Sequence, residues 1–192
     1  MKFTSKRMLF HRLGQLYQTM AKAFDDARPQ GFTCEGCAQN CCVSYFQHHT
    51  YIEWRYLWEG LNALPQDVRD RYVERARDNV VQVNQALSRG EIPKVMCPVN
   101  DDGRCGVYEH RLMICRLYGV PNMLLGRSGL KHFPGCPVCM KLTGPEPARV
   151  DRTPLYRELA TLEMEFLGSR RGQAPRVDMT LSEMILAGPP KF

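Results

Sequence analysis

Several familiar signals are missing from this chain, and each absence narrows what it does. No stretch of the 192 residues approaches the roughly 18 consecutive apolar residues of a membrane-spanning helix, so no membrane span is expected. The basic residues near the start run into His11, Arg12 and Gly14 without an intervening apolar segment, which is not the pattern of a secretory signal. The expectation is therefore a soluble protein that stays in the cytoplasm. There is no internal repeat and no low-complexity tract. No helical pattern carries a one-signed Lys/Arg stripe interleaved with aromatics, so the counterion-release term behind nucleic-acid affinity should be small and no nucleic-acid partner is expected. The densest basic run, Ser169-Arg170-Arg171-Gly172, reads as a solvated loop.

What remains is ordinary globular composition, 44% hydrophobic and 24% charged, on a chain long enough to bury a core without help from a metal. The reading is a single mainly α domain over residues 1–192, with a metal-binding region at about 32–142 and a helical extension at 150–192. The formal charge of +6 counts every cysteine as neutral. Four thiolates around a divalent zinc, or around a 4Fe–4S core, carry about −2 in total, so one occupied site lowers that charge to roughly +4 and two to roughly +2.

Apolar periodicity predicts the helices. Leu9, Leu13, Leu16, Tyr17, Met20 and Phe24 form one stripe between Phe3 and Ala27, closed by Pro29 and Gly31. Thr50-Tyr-Ile-Glu53 reads as a capping box opening a helix to about Gly60, with Trp54, Leu57, Trp58 and Leu61 as its core face. After Pro65, Val68, Tyr72, Ala76, Val80, Val83 and Leu87 recur at helical spacing up to Gly90, opposite a face of mixed charge. Leu155, Leu159, Leu162 and Phe166 mark a helix after Pro154, and Thr180-Leu-Ser-Glu183 caps a last short one. Between Glu91 and Leu142 the pattern turns short and loop-rich. Asn100-Asp-Asp-Gly103 is a turn, and a small β-hairpin is expected around Gly126-Arg-Ser-Gly129.

The nine cysteines are the dominant feature. Four fall in Cys34-Glu-Gly-Cys37-Ala-Gln-Asn-Cys41-Cys42, and Cys97, Cys105, Cys115, Cys136 and Cys139 follow. In a reducing compartment such clustering points to metal or redox chemistry rather than to disulfides. A thiolate site needs four sulfurs converging at about 2.3 Å, and a CxxC turn supplies two from one loop. Cys34/Cys37 and Cys136/Cys139 both have that spacing. Adjacent Cys41 and Cys42 point in different directions, so both binding one ion is strained. All nine are candidate metal ligands, and Arg111 and Arg116 are candidates either to donate hydrogen bonds to the sulfurs or to pair with Glu109. Most of His48, His49, His110 and His132 read as surface residues. A thiol enzyme, with Cys115 beside Arg116 and a histidine, is the reading from a different class.

The first block, then Cys97-Pro98, then Cys105-Gly-Val-Tyr108-Glu109-His-Arg111-Leu-Met-Ile-Cys115-Arg116, resembles the YkgJ-like cysteine-cluster family, described as a zinc- or iron-chelating domain. The resemblance covers about residues 32–120. The first block is one residue longer than the CxxCxxCC of many members, and Leu112 stands where an Arg-Pro pair would place proline. What the resemblance implies is metal binding, with the weight on Cys34, Cys37, Cys105 and Cys115 and with Cys136 and Cys139 outside the shared stretch. Flagellin lysine methylases are similar to the family, but the chain has no glycine-rich methyl-donor cradle. The expected cofactor is a 4Fe–4S cluster, with zinc in a structural interaction module as the alternative; the partner is a protein or redox partner of unknown identity. The expected geometry brings Cys34, Cys37 and one of Cys41 or Cys42 to within ligand distance of Cys97, Cys105 or Cys115.

Overall fold

The computed structural model describes residues 5–34 and 41–191. The fold is mainly α with small sheets, and the chain divides into two compact units, residues 1–39 with 113–174 and residues 40–112 with 175–192.

In the first unit, α1 (Lys6–Ala27) starts where the Ser5 hydroxyl accepts from the Met8 N–H and buries Leu9, Leu13, Leu16, Tyr17 and Met20. That is the predicted stripe, with Phe24 half-buried at its end. Each of these large side chains contributes about 1.5–3 kcal/mol by leaving water. The stripe packs on α4 (Met113–Leu117) and on α6 (Arg152–Leu167), whose Leu155, Leu159 and Leu162 are buried in turn. Asp151 caps α6 by accepting from the Thr153 N–H at 2.9 Å, and Arg12 bridges α1 to Glu165 and Glu158 of α6 at 2.6 and 3.3 Å. The expected hairpin is present. β3 (Asn122–Gly126) pairs antiparallel with β4 (Gly129–Phe133), Gly126 opposite Gly129, and β5 (Val150–Asp151) adds to β3 in parallel. The α5 helix (Pro137–Leu142) follows the hairpin directly. The Ser169–Gly172 run is a 3-10 turn, Gly168–Gly172, whose arginines are exposed.

The second unit is built on α2 (Tyr51–Asn62) and α3 (Gln66–Ser88), with α7 (Leu181–Leu186) packed on α3. Trp54 and Trp58 are core residues, as expected, and both indole N–H groups donate to the Met184 carbonyl at 3.0 Å. Thr50 precedes α2, but the box is not formed. Its hydroxyl donates to the Glu53 carboxylate at 2.9 Å instead of accepting from the helix backbone. Thr180 and Glu183 form the full reciprocal box at α7. On α3 the buried face is Tyr72, Ala76, Asn79, Val83 and Ala86. The predicted stripe drifts off it at Val80 and Leu87, because a ladder of steps of four overshoots a 3.6-residue turn and rotates outward. Asn79 takes the inner position and is satisfied by donating to Met96 O and accepting from Ser182 Oγ. β1 (Asn100–Asp101) and β2 (Arg104–Cys105) form a tight ribbon whose two loop residues, Asp102 and Gly103, both have positive φ. Among the described residues no helix is long and apolar enough to cross a membrane.

Candidate metal centre

Cys34, Cys115, Cys136 and Cys139 belong to the first unit; Cys41, Cys42, Cys97 and Cys105 belong to the second. No disulfide joins any of these eight among the described residues. Cys37 lies outside the described residues.

In the first unit the Cys136-Pro137-Val138-Cys139 turn is the first turn of α5. Proline at the first helical position suits the fixed φ of a helix start, and the Cys136 sulfur accepts from the Cys139 N–H at 3.4 Å. Gly135, at φ +84°, lets the chain approach so closely that a Cβ there would lie 2.8–2.9 Å from backbone atoms of Gly119, Val120 and Pro121. The Cys136 N–H then donates to Gly119 O at 3.1 Å. Gly119 also faces Phe24 and Phe32, two residues before Cys34. Four residues earlier in the chain is Cys115, on a helix held to α1 by the Arg116 guanidinium 4.0 Å above the Tyr17 ring. Burial, and then the charges of Cys136 and Cys34, push the Cys139 thiol up to about 11. Cys34 from the first cysteine block is thus an electrostatic neighbour of the last CxxC, which the family-like stretch does not include.

In the second unit Cys41 and Cys42 open a 3-10 turn, Cys41–Val43. Cys97 N–H donates to Cys42 O at 2.9 Å, Asn100 N–H to Cys97 O at 3.1 Å, and Cys105 is the strand partner of Asn100. The Cys42 thiol is pulled down to about 6, first by the hydrogen bond from the Cys41 thiol, then by Asn100 and by the positive charge of Arg111, against the opposing effect of burial. The Asn100 amide nitrogen is buried and finds no oxygen partner; its influence falls on this sulfur. Arg111 lies 3.7 Å above the Tyr108 ring, so it serves the sulfur by charge while stacked on an aromatic face. The ribbon is pinned from α3. Tyr72 donates to Asp101, Arg75 donates to Asp101 and to Asn100 O at 2.6 and 3.1 Å, and a Cβ on Gly106 would collide with the Tyr72 ring. Burial and Asp101 push Tyr72 up to about 12, so it stays a donor.

Two residues escaped the sequence reading. Asn100 reads only as a turn former, although its place between Cys97 and Cys105 was a signal that its side chain faces sulfur. His48 reads as surface and is buried. Its backbone bridges Met179, and burial, then neighbouring His49, lowers its pKa to about 3. His49 is half-exposed, 3.2 Å from Asp178, and His110 stacks on Tyr56 against Gly60. Among the described residues no group of three or more Cys, His, Asp or Glu side chains that could hold a metal ion is gathered, and Cys37 of the expected set lies outside them. Asn100 and the positive charge of Arg111 both lower the Cys42 thiol, whose sulfur is a donor of the kind that zinc or an iron–sulfur cluster takes. No protein-family model, no curated protein and no solved structure matches the chain.

Proposed function

We propose that this is a metal-binding cysteine-cluster protein, similar to the YkgJ-like family, that holds a 4Fe–4S cluster through its thiolates and acts as a redox or metal-handling component. The observation that carries the reading is that Cys34, about a hundred residues away in sequence, belongs to the same unit as the Cys136–Cys139 turn and influences the Cys139 thiol electrostatically. The chain is already large enough for its own core, so its nine cysteines are not needed to make up for a small one. The bound cluster would supply one-electron transfer at low cost in rearrangement. The chain's own part is to favour the thiolate at Cys42, through Cys41, Asn100 and Arg111.

The zinc-module reading has one observation in its favour, the Cys136–Cys139 turn, which suits a closed tetrahedral site equally well. Adjacent Cys41 and Cys42 favour the cluster, because two neighbouring sulfurs that strain around one ion can reach two irons. Anaerobic one-electron reduction of the purified protein, followed by absorption and paramagnetic resonance, separates them. Bleaching of a visible band with a new paramagnetic signal is expected. A colourless, zinc-loaded protein that unfolds on chelation would replace this reading with the structural module.

A further inference from the structure

We propose that Cys136 and Cys139 form a thiol–disulfide exchange site, a dithiol that a small-molecule disulfide oxidises to an intramolecular bridge and a thiol reductant reopens. This goes beyond the metal-binding reading, because it needs two sulfurs and no third ligand, and the two uses of the pair exclude each other at any moment. The backbone joining the two is one closed helical turn. Cys136 is the N-cap of α5, Pro137 fixes φ at the first helical position, and the Cys136 carbonyl accepts from the Met140 N–H at 2.9 Å. Cα atoms three residues apart in such a turn lie about 5 Å from each other, inside the roughly 4.4–6.8 Å that a disulfide spans.

The side chains start from a matching arrangement. The Cys136 sulfur accepts from the Cys139 N–H at 3.4 Å, so it already lies against the Cys139 backbone nitrogen, three bonds from the Cys139 sulfur. Access separates the two roles. Cys136 is 9% exposed and Cys139 not at all, and Pro134, Pro137 and Met140 around them are exposed, so Cys136 is the sulfur that meets an external disulfide. Its thiolate attacks one sulfur of that disulfide; the external S–S bond breaks, and one thiol leaves with the proton that Cys136 gave up. The Cys139 thiolate then attacks the Cys136 sulfur; the mixed disulfide breaks, and the second thiol leaves with the Cys139 proton. The pair loses two electrons and the external disulfide gains them. Burial keeps Cys139 a poor free nucleophile, with its thiol pushed up to about 11, so it acts because its target is held one turn away. The Cys136 backbone is itself anchored, its N–H donating to Gly119 O at 3.1 Å beside the close approach that Gly135 permits.

The test equilibrates the full-length chain anaerobically in graded mixtures of glutathione and glutathione disulfide with a chelator present, then quenches with acid, alkylates free thiols and maps them by mass spectrometry. In wild type the peptide carrying Cys136 and Cys139 should lose two hydrogens, take no alkyl label and recover both thiols in dithiothreitol. The midpoint should need about tenfold less glutathione disulfide than in the same chain unfolded in urea, where nothing holds the turn. Cys139→Ser should stop at a mixed disulfide with one glutathione on Cys136, and Cys136→Ser should leave Cys139 unmodified. Full alkylation of both thiols at the most oxidising ratio, a bridge from Cys136 to any other cysteine, or a midpoint equal to that of the urea-unfolded chain would overturn the inference. The wild-type map needs no variant, so a substitution that prevents folding does not shelter the claim. Metal content measured before chelation judges the metal-binding reading separately. A metal-free protein that closes this bridge keeps the inference and removes that reading; a metal-loaded one whose pair stays open under the chelator does the reverse.

Discussion

At the scale of single residues, the two thiols with displaced proton affinities make opposite predictions. Cys42, drawn down to about 6 by Cys41, Asn100 and Arg111, is mostly thiolate at pH 7, whereas Cys139, pushed up to about 11 by burial and by neighbouring thiols, is not. Brief alkylation of metal-free protein at pH 7, mapped by mass spectrometry, should therefore label Cys42 at least tenfold faster than Cys139. Equal labelling would show that the Cys42 environment is misdescribed. His48 gives a second prediction. Its folded-state pKa of about 3 lies below the ordinary 6.5, so between those values the unfolded chain binds the extra proton. The stabilising effect of the neutral ring is complete above pH 6.5 and is lost as pH falls toward 3. Stability should drop by about 2 kcal/mol between pH 7 and pH 5 from this residue, and urea unfolding of His48→Gln should show a shallower slope over the same interval. An unchanged slope would assign the acid sensitivity elsewhere.

At the scale of elements, caps and close approaches decide local stability. Thr180→Ala removes a hydroxyl that accepts from the Glu183 N–H and should cost about 1 kcal/mol, while Thr50→Ala, whose hydroxyl leaves the α2 backbone uncapped, should cost clearly less. Thermal unfolding of the pair checks this, and an equal loss would contradict the difference in geometry. Gly135→Ala meets both a positive φ and backbone atoms within 3 Å, so it should destabilise by about 1–3 kcal/mol in urea unfolding and lower metal content by displacing Cys136. The helices were legible because Leu9 to Met20 and Leu155 to Leu162 repeat on one face, and the hairpin because Gly126 and Gly129 bracket two residues. The failures have physical causes. A Thr-x-x-Glu spacing is shared by Thr50 and Thr180, and in both the hydroxyl donates to the carboxylate at 2.9 Å; only at Thr180 do the backbone N–H groups of Thr180 and Glu183 also bond the two side chains, a difference the spacing does not carry. Asn79 is chosen for the inner face of α3 by Met96 and Ser182, both remote in sequence.

At the scale of the whole molecule, cysteine spacing leaves the grouping of the thiols open, because spacing is a local quantity. The assignment of Cys34 to the neighbourhood of Cys139 depends on Gly119 and Gly135 letting backbones approach, and that of Cys97 to Cys42 on a backbone hydrogen bond between distant loops. Charge would follow the same logic, since metal-occupied thiolate sites would offset part of the formal +6. The central claim is that these sulfurs hold a metal cluster, and anaerobic purification with elemental analysis for iron, zinc and acid-labile sulfide tests it most directly. The account predicts a brown protein with iron and sulfide in near-equal amounts; a colourless, metal-free protein whose native state presents all its thiols to a thiol reagent would contradict it.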